Sequence, residues 1–139
     1  MLAYRKELLG TGIEGGFQWL DGSFMEHKEE LEGRAPNDID VVTFYHLPPP
    51  LTQRELISSS PQLFDPVATR ATYSVDSLNH QLGGKLSNYD VRQISYYYSM
   101  WSHRRNGMWK GFLEVDLSGE ENERAISLLE HLQREGGRP

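Results

Sequence analysis

The stretch Asp38-Ile39-Asp40-Val41-Val42-Thr43-Phe44-Tyr45 constrains the chain more than any other. β-Branched and aromatic residues fill it, which favours an extended strand, and Pro48, Pro49 and Pro50 end it. Residues two apart on a strand share a face, so Asp38 and Asp40 stand side by side while Ile39 and Val41 turn towards a core. Two neighbouring carboxylates repel, and one keeps its proton unless a cation lies between them. Three arrangements answer this: a metal site, a salt-bridged structural pair, or a strand end whose acids are solvated. Pro36-Asn37-Asp38 is itself turn-like, which suits the last of these.

The rest of the chain supplies elements to surround that strand. Leu2, Leu8 and Leu9, with Gly10 as a stop, predict a short N-terminal helix. Phe17 to Gly22 reads as a strand, with Ser23 at its end. The polar segment that follows predicts a short helix over Met25 to Leu31, closed by Gly33 and Pro36. Thr52 and Glu55 have capping-box spacing, and Asp65 followed by Pro66 opens another helix through Tyr73.

Residues 72–82 then read as a strand ended by Gly83-Gly84. Gln93 to Ser102 and Lys110 to Ser118 predict an antiparallel hairpin around the turn signal Asn106-Gly107. From the candidate cap Ser118 onward, acids in the first turn and a stripe of Ala125, Leu128, Leu129 and Leu132 predict a terminal helix. Together these give α/β (α+β): a mixed twisted β-sheet with flanking helices, then a C-terminal β-hairpin and helix. A length of 139 residues fits one domain over 1–139.

Composition narrows the function. With no cysteine, disulfides and thiolate metal sites are excluded, and His27, His46 and His80 lack ligand spacing for zinc. No apolar run approaches the ~20 residues of a membrane span, and the first residues do not resemble a signal peptide, so the cytoplasm is expected. A net charge of −6 argues against non-specific DNA or RNA binding. His103, Arg104, Arg105 and Lys110 nonetheless crowd one turn, either as a phosphate clamp or as solvated charges that discourage strand aggregation. Tyr96, Tyr97, Tyr98, Trp101 and Trp109 serve either a stacked base or the core, and the core is favoured.

Leu20-Asp21-Gly22-Ser23 followed by Asp38-Ile39-Asp40-Val41 resembles the signature of the DNA polymerase beta-type nucleotidyltransferase superfamily: an apolar strand ending in Gly-Ser, then a strand bearing Asp-x-Asp. That superfamily includes the minimal nucleotidyltransferases of bacterial toxin–antitoxin pairs. The stretches DGSF and PNDIDVV are similar to those of a group of small bacterial members, and WSHRRNGMWKGFLEVDL fits the same pattern. The resemblance implies Mg²⁺ or Mn²⁺ held by Asp38, Asp40 and a third carboxylate. Asp76 on the next strand is preferred, with Asp116, which shares a face with Glu114, as the alternative. It also implies that Gly22 and Ser23 seat an NTP and that an NMP passes to a protein or RNA acceptor; Arg104, Arg105 and Lys110 are then the candidate clamp for its phosphates. A homodimer or a partner toxin would supply a missing wall. The alternative is an inactive module of the same fold that neutralises a partner protein. A nuclease or phosphatase using the same acids is a third expectation. Asp21 departs from the pattern, standing where an apolar residue is commoner.

Overall fold

The computed structural model describes residues 1–26, 33 and 36–136. Its elements are α1 (Leu2–Leu9), β1 (Gly16–Asp21), a 3₁₀ turn (Ser23–Glu26), β2 (Ile39–Tyr45), α2 (Gln53–Ser59), α3 (Pro66–Tyr73), β3 (Val75–Gln81), α4 (Asn88–Trp101), β4 (Leu113–Asp116) and α5 (Gly119–Gly136). The helix expected over Met25 to Leu31 falls mostly outside the described residues.

Local signals start the helices where the sequence places them. Thr52 and Glu55 form a reciprocal capping box on α2, and the Asp65 carboxylate accepts from Val67 N–H at 2.9 Å at the head of α3. Ser118 Oγ accepts from Glu121 N–H at 3.3 Å at the start of α5.

The four strands lie in the order β3-β2-β1-β4. β1 runs antiparallel to both β2 and β4, whereas β2 and β3 are parallel and joined through α2 and α3. Parallel neighbours need such a crossover, because a tight hairpin cannot return the chain in the same direction. One sheet face presents Val41, Tyr45 and Val75 to Tyr4, Leu8, Leu56 and Leu63. The other carries Val42 and Phe44, flanked by Phe17, Trp19 and Leu78, against Ile94, Tyr97 and Trp101 of α4. The architecture is therefore the expected mixed sheet with flanking helices and a terminal helix.

One expectation is corrected. Gln93 to Ser102 is not a hairpin strand but most of α4. Ser87 and Asp90 form a capping box at its head, and Ile94, Tyr97 and Trp101 recur at helical spacing to cover Val42 and Phe44. That packing outweighs the β-preference of a Tyr-Tyr-Tyr run, which is weak and dependent on context. The predicted turn survives alone: Gly107 N–H donates to Arg104 O at 2.8 Å, Arg104 N–H to Met108 O at 2.7 Å, and His103 bridges to Trp109. β4 pairs with β1 instead.

The terminal helix forms as expected, but its apolar stripe stays outside the core, with Leu128, Leu129 and Leu132 about half exposed. Its first turns are tied down by buried Arg5. The Arg5 guanidinium donates to Asn122 Oδ1 at 3.2 Å, Gln18 Oε1 at 2.5 Å and Asp116 O at 2.6 Å, joining α1, β1, β4 and α5. No helix among the described residues is long and apolar enough to cross a membrane.

Candidate functional site

At one end of the sheet the register sets Asp21 opposite Asp40, and Asp40 opposite Asp76. Directly opposed residues share a face, so these three carboxylates form a row across β1, β2 and β3 on the side covered by α4. Asp38, one residue before β2, has the same parity as Asp40 and extends the acidic group. Four acids therefore occupy one ledge.

Two cations compensate part of it. Lys110 Nζ donates to both Oδ atoms of Asp21 at 2.8 Å, in a pair whose side chains are largely buried. Arg70, in the last turn of α3, sets Nε 3.1 Å from Asp38 Oδ2 and donates through a terminal nitrogen to Asp76 Oδ2. Asp40 stands between these pairs, and no described cation lies within ion-pair distance of it. Burial first, then the charges of Asp38, Asp76 and Asp21, raise its pKa to about 6, with Lys110 pulling the other way.

Gly22 follows the row with φ 124°, a left-handed conformation that glycine adopts freely. A Cβ there would stand 3.4 Å from Asp40 Oδ2, Asp40 N and Asp38 O, so the glycine lets the β1 end lie close against the acids. Its carbonyl accepts from Met25 N–H at 3.1 Å, turning the chain at Ser23.

A cleft of about 210 Å³ opens above this turn. Asp21, Gly22, Ser23 and Asp40 form one wall; Trp101, His103, Arg104, Arg105 and Lys110 form the other. Six residues singled out from the sequence (Gly22, Ser23, Asp40, Arg104, Arg105 and Lys110) thus meet in one place. Asp38 and Asp76 are bound to each other through Arg70 at the edge of the ledge, and Asp38 borders a separate recess with Asn37 and Tyr73.

Asp116 is not brought to the row. It pairs with Phe17, four residues along β1 from Asp21 and so roughly 13 Å away. Lys110 lines the cleft with its ammonium held by Asp21.

Two participants escaped sequence reasoning. Strand period alone sets Asp21 on the side of Phe17 and Trp19, and the β1–β2 register then brings that side to Asp40. Arg70 had no such signal, because only the packing of α3 beside β3 carries it to the acids.

All-carboxylate donors suit a hard divalent cation such as Mg²⁺ or Mn²⁺. As they stand, the oxygens gather around Arg70, and among the described residues no three His, Cys, Asp or Glu side chains converge as a ready-made metal cluster. The Arg70 side chain is 55% exposed, so it can turn into solvent and leave Asp38, Asp40 and Asp76 to a metal. On donor chemistry and adjacency the residues fit such an ion.

A model for a family described as being of unknown function, DUF6932, covers residues 1–116, from α1 through β4 and every residue of the ledge and cleft. No curated protein and no solved structure matches the chain.

Proposed function

The chain belongs to the DUF6932 family, whose description gives no function, and we propose from its geometry that it is a Mg²⁺-dependent nucleotidyltransferase. It would transfer an NMP from an NTP to a protein or RNA acceptor. The carrying observation is Asp40, set between Asp21 and Asp76 with no described cation within ion-pair distance and a pKa of about 6, against a glycine turn in an open cleft. A half-buried carboxylate among three others, with no described cation paired to it, is an unfavourable arrangement for a purely structural ledge.

In this reading Asp38, Asp40 and Asp76 hold the metal once Arg70 turns away. Bound Mg²⁺ would offset the phosphate charge and make the acceptor hydroxyl easier to deprotonate. Gly22 allows the triphosphate to approach the backbone, Ser23 offers it a hydroxyl, and Arg104 and Arg105 face it from the opposite wall. Trp101 lends the cleft a buried aromatic lining residue. The acceptor oxygen attacks the α-phosphorus, the bond to the β-bridging oxygen breaks, and pyrophosphate leaves.

A second reading rests on Arg70. Since it already neutralises Asp38 and Asp76, the same fold can serve as a metal-free module that binds a partner protein. Calorimetry with Mg²⁺ or Mn²⁺, followed by transfer assays with labelled NTPs, separates the two. Metal binding and label transfer that both vanish in Asp38→Ala and Asp40→Ala, with folding intact, support the enzyme. A protein that binds neither metal nor NTP is the module.

A further inference from the structure

From Val91 to Leu113 the chain contains Arg92, Arg104, Arg105, Lys110 and His103 but not one Asp or Glu. In a protein of net charge −6 these four Lys or Arg residues leave −10 on the remainder. The same segment exposes aromatic and sulfur side chains. Tyr96 is 56%, Met100 54% and Trp109 77% exposed, and Tyr89 just before them is 67% exposed.

These residues are ordered in space. Tyr89, Arg92, Tyr96 and Met100 follow helical spacing along the outward side of α4, over a length of roughly 16 Å. The opposite side of the helix carries Ile94, Tyr97 and Trp101 into the core. The track ends at the cleft, where Met100 and Arg105 are both lining residues. Beside it His103, which lines the cleft, packs against Trp109 with ring centroids 4.1 Å apart and planes tilted by 41°, and Trp109 is otherwise open to solvent.

The pattern discriminates between occupants. A protein interface also enriches Tyr, Trp, Met and Arg, but gathers its apolar residues into one compact centre ringed by a polar rim. Here Arg92 stands between Tyr89 and Tyr96 on the helix, and Arg105 and Trp109 follow in the loop beyond Met100, a spread of cations and rings that suits a chain whose phosphates and planar bases alternate. A duplex would hide its base faces. Exposed Ser95 and Ser99 beside the rings add hydroxyls suited to a ribose 2′-OH.

We propose that the outward side of α4 and the 102–110 loop form a binding surface for single-stranded RNA. The acidic remainder of the molecule confines binding to this side. The surface acts without metal and does not depend on the transfer reaction proposed above.

The test is fluorescence anisotropy of a labelled single-stranded RNA of about 12 nucleotides, with EDTA present, at low and moderate salt. The expected result is salt-sensitive binding that is weaker for DNA of the same sequence and absent for the duplex. Stacking on one ring predicts that Trp109→Ala weakens binding about 5- to 100-fold, and that Trp109→Phe restores most of it. Arg105→Gln should flatten the salt dependence by about one phosphate contact. No binding at low salt, equal binding of DNA or duplex, or unchanged affinity in Trp109→Ala and Arg105→Gln would overturn the proposal. So would sedimentation showing that this side joins two copies, or an acidic peptide that binds where RNA does not. Because EDTA removes any metal, failure of the transfer reaction leaves this outcome readable by itself.

Discussion

Among the described residues, Asp40 is the carboxylate of the ledge that no cation pairs with, and replacing it with Asn removes its charge. Its folded pKa of about 6 lies above the ordinary 3.8, so the folded state prefers the protonated form. The sign follows from linkage. The favourable contribution is complete below about pH 4 and is lost as pH rises through 6, leaving the folded protein to carry an ionised Asp40 at a cost. At about 1.36 kcal/mol per pH unit the displacement corresponds to roughly 3 kcal/mol, which solvent screening at a half-buried carboxylate reduces to about 1–2 kcal/mol. In metal-free buffer at pH 8, Asp40→Asn should therefore be more stable than the parent by that amount, a Tm gain of roughly 3–8 °C for a chain of this size. At pH 4 the two proteins should melt together. Calorimetric melts of both proteins in EDTA from pH 4 to 8 measure the difference directly. Added Mg²⁺ should raise the Tm of the parent alone. A variant no more stable than the parent at pH 8, or a gain independent of pH, would refute the electrostatic argument.

Arg70→Ala should tighten Mg²⁺ binding several-fold by calorimetry while costing only about 0.5–1 kcal/mol of metal-free stability, because the arginine is half exposed; weaker metal binding would show that Arg70 is not the ion's competitor. Lys110→Met leaves buried Asp21 without its partner and should cost about 3–5 kcal/mol in urea melts, with most of it recovered in the double variant Asp21→Asn/Lys110→Met. A loss below about 1 kcal/mol would mean that water compensates Asp21. Gly22→Ala, at φ 124° and beside Asp40, should cost about 1–2 kcal/mol and reduce Mg²⁺ affinity in the same titration; unchanged values would remove the glycine from the site.

Much of the architecture is legible locally. β2 announces itself by residue type, and α2 and α3 by caps whose partners lie two or three residues away. Asp38 and Asp40 share a side by strand period alone. Asp76 followed from chain order, since a helical crossover lays the next strand alongside in parallel. The error at Gln93 to Ser102 has a plain cause: Tyr and Ser suit a strand in isolation, while Ile94, Tyr97 and Trp101 become a helix face only once Val42 and Phe44 lie beneath them. The same shift divides the aromatic cluster, sending Tyr97 and Trp101 inward and leaving Tyr96 and Trp109 outside.

The chain's own order of residues determined the strands, the helix starts, the paired aspartates and the glycine turn, because each depends on neighbours a few positions apart. Only the folded arrangement decided that Asp21 stands opposite Asp40, that Asp116 does not, and that Arg70 and Lys110 reach the acids. Those outcomes depend on strand register and helix docking between segments far apart in the chain, and a pairing shifted by one residue would have turned Asp21 to the opposite side of the sheet.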